Sequence, residues 1–492
     1  MDASRGFFGQ PAGLSTLFFA ELWERFSYYG MRALLLLFLV GAVQDGGFGL
    51  DDPTAAAIYG LYTAGVYVFS LPGGWVADRL IGARHAVLWG GAVIAAGHVV
   101  LALSTSLATF CAGLGVIVLG TGLLKPNIAA LVAALYPEGG ARRDAGFTVF
   151  YLGINLGAVL GPLVTAWLAQ QYGWHVGFLA AAVGMGCGLL WFLATQARLG
   201  GAGVAPVART VEAAMGRQRD LRVLWLGGFA IAALVVGAIA SGADAQTLRG
   251  AAIYVILGAA VLYFGNLLLF GGLDPQQRRR MLVLLALLLA SSVFWSGFEQ
   301  AGSSMNLFAE RHTDRLLGSF EIPAGWFQSL NAAFIIVFAP LFSWLWLALA
   351  RHGADLSAPA KFVIGLLGMG LGFVVMAAAA RLVAEGGLAA PTWLITAYLL
   401  HTWGELALSP VGMSATTQLV PGQHAGQGMG LWYASLSMGN LVASLLAGEF
   451  DTSRLDLFPS QFMHIFWISA VAAACLLAAL PLLRRWSGDR RG

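Results

Sequence analysis

Apolar runs of about 20 residues, the length that crosses a bilayer as a helix, recur from one end of this 492-residue chain to the other. That recurrence decides the solvent. Hydrophobic residues make up 59% of the chain and charged residues only 10%, with a mean hydropathy of +0.77. A soluble domain carries about 25% charged residues, so a water-soluble fold is excluded. Only helices and closed barrels satisfy their backbone groups in lipid, and runs of this length specify helices.

Fourteen candidate spans follow: 15–41, 55–77, 84–104, 107–135, 144–170 and 174–197; 223–241 and 250–271; then 280–308, 325–350, 360–384, 391–418, 426–449 and 461–484. The first contains Glu21, Glu24 and Arg25 and has no cleavage pattern, so it reads as a span rather than a signal peptide. With the N-terminus in the cytoplasm, 19 of the 27 Lys and Arg residues fall in cytoplasmic segments, 5 in outer loops and 3 inside helices. This agrees with the positive-inside rule and places both termini in the cytoplasm. Four units are expected: an N-terminal six-helix bundle at 1–197, a cytoplasmic linker at 198–222, an inserted hairpin at 223–271 and a C-terminal six-helix bundle at 272–492. Paired six-helix halves suggest an alternating-access transporter. The hairpin carries almost no intramembrane charge and reads as peripheral, with Arg249 in an outer loop and 207–215 as a short interfacial helix.

Seven ionisable residues lie at membrane depth: Glu21, Glu24, Arg25, Arg32, Lys125, Glu299 and Glu405. A charge at the bilayer centre costs at least about 2.5–3.5 kcal/mol, so each is a functional candidate. Glu21, Arg25, Tyr28 and Arg32 follow one another at four, three and four residues and share one helix face, with Glu24 beside it. A static salt-bridge network is the bland reading of that stripe. Lys125 precedes Pro126 and Asn127, where a proline kink suits a cavity wall; snorkelling to an interface is the alternative. His401, Glu405 and Ser409 share a face at i, i+4 and i+8; a hydrogen-bonded structural role suits His401 best. Asn155 and Asn331 are further polar groups in apolar helices. Four acids and three bases leave the set at −1, so one bound proton would neutralise it.

Cys111, Cys187 and Cys475 sit in apolar runs without CxxC spacing and read as buried thiols. Scattered histidines, and the lack of a GxSxG or a nucleotide loop, argue against an enzyme. Nothing suggests nucleic-acid binding.

The motifs resemble a family. Glu21-Leu-Trp-Glu24-Arg25-Phe-Ser-Tyr28-Tyr29 is similar to ExxERFxYY of the proton-dependent oligopeptide transporters, members of the major facilitator superfamily. Phe150-Tyr-Leu-Gly-Ile-Asn155-Leu-Gly157 resembles their FYxxINxG signature. Gly73 to Arg84 resembles the facilitator loop between helices two and three. Gly122-Leu-Leu-Lys125-Pro-Asn, Phe298-Glu299-Gln300, Phe327-Gln-Ser-Leu-Asn331 and Gly404-Glu405-Leu-Ala-Leu-Ser409-Pro410 also fit.

The resemblance implies an all-α major facilitator fold of twelve core helices plus the inserted pair. It implies proton-coupled symport of di- and tripeptides across a bacterial inner membrane by a monomer that needs no cofactor or metal. Glu405, with Asn155 and Asn331, would take the peptide ammonium; Arg25, Arg32 and Lys125 would take its carboxylate. Tyr28 and Tyr67 would bond the peptide backbone, and Trp295 and Trp432 would wall the side-chain pockets, with Ser409 on the face of Glu405. Glu21, Glu24, Arg25 and Glu299 would couple protons. Arg32 paired with Glu299 across the halves, and Asp78 with Arg84, would gate. Another small solute, such as nitrate or a drug, is the alternative cargo; Glu405 would repel a plain anion.

Overall fold

A computed structural model describes residues 6–138, 140–204, 216, 218–228, 237, 241–354, 356–420, 425–450 and 455–487. The helices α1 Gly13–Val40, α2 Asp52–Val68, α3 Ser70–Val76, α4 Ala83–Leu103, α5 Leu107–Ala134, α6 Gly140–Tyr172 and α7 Trp174–Thr195 occupy the first six expected spans. The second span is thus two helices, extended by a π-helical turn at Ala77–Ile81. After the linker come α8 Ala245–Phe270, α9 Pro275–Phe298, α10 Ser304–His312, α11 Ser329–Arg351, α12 Ala358–Ala384, α13 Pro391–Leu419, α14 Ala425–Gly448 and α15 Phe458–Ser487. A two-residue antiparallel pair, β1 Leu316–Leu317 with β2 Phe320–Glu321, folds the loop after α10.

Among the described residues eleven helices are long and apolar enough to cross a membrane. Two more, α1 and α13, have the length, at 28 and 29 residues, but carry the polar site residues. Residues 218–228 are helical; most of the expected 223–241 span and the whole 207–215 segment lie outside the described residues.

The chain forms two compact units: Met1–Leu35, Val43–Phe48 and Gly65–Leu248 in one, Leu36–Ala42, Gly49–Ala64 and Arg249–Gly492 in the other. They do not follow the linear division expected from the chain, because the middle of the first two spans is a boundary and α8 belongs largely to the second unit.

In the first unit, α6 packs against α1 through small residues. A Cβ added at Gly157 would overlap the Leu22 carbonyl and lie 2.9 Å from Arg25 Cβ. Lipid gives no hydrophobic drive between helices, so close backbone approach must supply the packing. Gly157 therefore sets the seat of Arg25. Gly157→Ala is expected to lower the thermal midpoint in detergent, since overpacking costs about 1–3 kcal/mol; an unchanged midpoint would show that α6 moves aside freely.

In the second unit, Gly404 of α13 meets α12 so closely that an added Cβ would stand 2.7 Å from Gly365 O. Glu405 is the next residue along. Aromatic rings fill the region where α12, α15 and the end of α14 meet: Phe373 stacks on Phe462 with centroids 6.2 Å apart, and Phe450 tilts against Phe462 at 4.9 Å. His401 lies against Phe373 at 4.8 Å, 1% exposed, as a packed core residue. The same unit holds a bidentate ion pair, with Arg311 Nη1 and Nη2 at 2.7 and 2.9 Å from the Asp52 carboxylate.

Arg249 is not in a loop. It lies in the first turns of α8, is 8% exposed and donates to Ser444 O of α14 at 2.9 Å. Burying its guanidinium without a polar partner would be costly, so a helix carbonyl receives it. No periodicity in the apolar run reveals that tie.

Candidate functional site

The charged stripe of α1 is buried inside the first unit. Glu21, Glu24, Arg25 and Arg32 are all 5% exposed or less. Arg25 Nε donates to Glu21 Oε1 at 2.8 Å and lies 2.7 Å from Glu24 Oε2. The second contact is not aligned as a hydrogen bond: Glu21 Oε2 and both Glu24 oxygens accept none among the described residues. Two buried carboxylates thus face one guanidinium. Like charges in low dielectric repel and an unpaired buried charge is expensive, so the guanidinium, with the charge of Lys125 also acting on Glu24, holds the two carboxylates in place.

Aromatic faces hold the cations of this unit. Arg25 Cζ stands 5.7 Å from the Tyr28 ring and Arg32 Cζ 5.8 Å from the Tyr29 ring. Lys125 Nζ lies 3.8 Å from the centroid of Tyr67, well inside the range of a cation–π attraction. The residues after Lys125 explain its setting. Pro126 has no N–H to give the Gly122 carbonyl. Asn127, 2% exposed, donates to Leu123 O at 2.6 Å and to Gly73 O at 3.3 Å, tying α5 to α3. Asn155 donates to Tyr151 O one turn back at 2.9 Å.

The facilitator-like loop is tied to the segment that follows α7. Arg84 donates to Gly200 O and Ala202 O of the segment after α7, and its own backbone N–H bonds Gly203 O at 3.0 Å. Arg79 contacts Asp220 at 3.6 Å. Asp78 lies in the π-helical turn, and Arg84 fastens the start of the linker.

In the second unit, the seventh core span breaks where the charge sits. Helix α9 ends at Phe298, Glu299–Gly302 forms a 3-10 turn, and α10 begins at Ser304. Gln300, fully buried, bridges the break. Its Nε2 donates to Ser296 O at 3.2 Å and Ala443 O at 2.9 Å, and its Oε1 accepts from Ser304 Oγ at 2.6 Å and Ser303 Oγ at 3.3 Å. Glu299 is 2% exposed. Four bonds on the neighbouring side chain hold its backbone in place.

Asn331 of α11 and Glu405 of α13 come together: Asn331 Nδ2 donates to Glu405 Oε2 at 2.8 Å and to Thr402 Oγ1 at 3.1 Å. Ser409 lies one turn beyond Glu405 and is half-buried. Trp295 is 7% exposed, with its indole N–H bonded to nothing among the described residues. Trp432 is 2% exposed and packs into the space that Gly412 leaves, which joins α14 to α13. Among the described residues no group of three or more His, Cys, Asp or Glu side chains is placed to hold a metal.

These positions can now be compared with known proteins. The model of the POT family matches residues 84–468. The chain belongs to the POT family. A peptide transporter of Yersinia enterocolitica is 41% identical over 99% of this chain and 97% of its own. A di-/tripeptide transporter of Lactococcus lactis subsp. cremoris is 35% identical over 97% of this chain and 96% of its own. Among solved structures, a POT peptide transporter with bound sulfate superposes with a TM-score of 0.91 at 39% identity, covering 98% of this chain and 97% of its own. A POT family transporter with bound 5-aminolevulinic acid superposes at 0.87 and 32% identity, covering 97% of this chain and 98% of its own. The family membership makes this a multi-pass membrane protein with the facilitator-like helical fold expected from the sequence.

The sequence motifs picked out Glu21, Glu24 and Arg25, and Glu405 with Asn331, but not Thr402. Thr402 lies three residues before Glu405 on one helix face, a spacing that could have flagged it. Gln300 stands in the Phe-Glu-Gln motif, yet nothing in the sequence shows that its side chain spans a helix break.

Proposed function

We propose that this protein is a symporter that carries di- and tripeptides into the cell with protons by alternating access. The observation that carries the coupling is the Glu21–Arg25–Glu24 contact, where two buried carboxylates face one guanidinium. A proton added there would neutralise one of the two carboxylates and loosen the hold on Arg25. Arg25 could then fork onto a peptide carboxylate, with Arg32 and Lys125 adding positive charge. The ammonium end has its own match in Glu405, supported by Asn331, with Asn155 as a further polar contact. A zwitterionic peptide offers a partner to each set. Tyr28 and Tyr67 serve the peptide backbone, and Trp295, Trp432 and Ser409 line side-chain space. Such a site reads termini strongly and side chains weakly.

The same proposal assigns Glu299 to proton coupling and, with Arg32, Asp78 and Arg84, to gating. The distribution of Lys and Arg supports cytoplasmic termini, and the bacterial relatives support a bacterial inner-membrane location. The working unit is a monomer in lipid, needing no cofactor beyond protons, and the chain performs no catalysis. The relative that holds 5-aminolevulinic acid favours a second cargo class, small zwitterions with one amine and one carboxylate.

Proteoliposomes test this reading. With an inward proton gradient, radiolabelled dialanine should accumulate above its external concentration, and a protonophore should abolish that accumulation. Neither uptake nor counterflow, from folded protein, would move the cargo to another solute.

A further inference from the structure

We propose that Thr402 is a positioning residue that decides which end of the Asn331 amide meets the substrate. The inference rests on the assignment of Glu405 to the peptide ammonium.

Both protons of Asn331 Nδ2 are engaged by α13, at 2.8 Å with Glu405 Oε2 and at 3.1 Å with Thr402 Oγ1. The Thr402 hydroxyl proton goes elsewhere, to Tyr398 O at 2.7 Å. A hydroxyl has one proton and two acceptor lone pairs, so towards Asn331 it offers acceptance only. Thr402 is 0% exposed and touches no substrate itself; it acts through Asn331.

The consequence concerns the other end of the amide. With its nitrogen held by two acceptors, Asn331 turns Oδ1 away from both. That oxygen accepts no hydrogen bond among the described residues, and Asn331 is half-buried rather than sealed. An ammonium has three donors and no acceptor. It is served by a carboxylate flanked by an amide oxygen and opposed by an amide nitrogen. Glu405 alone does not keep the oxygen in place once a ligand competes for its charge. Thr402 does, because its acceptor lone pair is not titratable and no substrate reaches it.

The test separates positioning from packing. Thr402→Val keeps the branched shape and removes the acceptor; Thr402→Ser restores it. Purified proteins would be compared for displacement of radiolabelled dialanine by dialanine and by N-propionyl-alanine, which has the same length without the ammonium. Thr402→Val should weaken dialanine about 10-fold, the loss expected for one hydrogen bond that orients a charged contact. It should change N-propionyl-alanine less than about 2-fold, and Thr402→Ser should recover dialanine binding. Should the valine variant fail to fold, Thr402→Ala carries the same comparison. Equal weakening of both ligands, or dialanine binding like wild type, would overturn the inference alone. Wild-type protein that binds no dialanine would overturn the functional reading and this inference with it.

Discussion

Glu21→Gln should abolish uphill accumulation of dialanine in proteoliposomes while leaving counterflow of dialanine measurable. The glutamine keeps the size of the side chain and an oxygen at the position that accepts from Arg25 Nε at 2.8 Å. It removes the titratable group. With Glu21 neutral, the cluster has lost one of its two carboxylates and behaves as if permanently protonated. Exchange of one peptide for another requires no net proton movement, so it survives. Accumulation requires that proton binding and release alternate with the transport cycle, and a fixed neutral group cannot alternate. The membrane potential, about 2.3 kcal/mol per charge per 100 mV, then has no coupled charge to act on at this site. Accumulation by the variant equal to wild type would remove Glu21 from the coupling mechanism. Loss of both accumulation and counterflow would make it a structural residue of α1.

Glu405→Gln should weaken dialanine binding by about 30- to 1000-fold, or about 2–4 kcal/mol, the range for removing one partner of a buried charge pair. The glutamine fits the same space, and Asn331 can still donate to its oxygen, so folding should be preserved. What disappears is the negative charge that compensates an ammonium taken out of water. The measurement is competition against radiolabelled dialanine, run beside N-propionyl-alanine. The second ligand has no ammonium and should lose little. A proportional loss for both would mean that Glu405 shapes the cavity rather than reading the amine.

How much of this could be read from the sequence depends on the residue. Helix positions were almost entirely legible, since a span is written as an unbroken apolar run: the expected 107–135 and 391–418 became Leu107–Ala134 and Pro391–Leu419. Charges at depth were legible for the same reason, each standing out against lipid-compatible neighbours. The break after Phe298 was not legible. No proline marks it, and the side chain that bridges it, Gln300, finds Ala443 O at a sequence distance of 143 residues. Arg249 was misplaced because it reaches a backbone carbonyl, that of Ser444, which any residue supplies and no motif records. Lys125 against Tyr67 was half legible: both residues were candidates, but an aromatic face leaves no charge pattern to find. The partners of α1 were clearer, because Glu21, Glu24 and Arg25 are neighbours on one turn of helix.

One consequence follows from α8. That helix buries Arg249, Phe264 and Leu267 among its 26 residues. Its exposed positions, Tyr254, Val255, Leu257, Val261, Leu262 and Leu269 among them, pack against little of the protein, so their identities carry little structural information. That exposed flank of α8 is therefore writable: a spectroscopic label or a crosslinking handle could be attached along it with little risk to transport. The arginine at its base is the exception, and a handle placed there would unfasten what the rest of the helix leaves undisturbed.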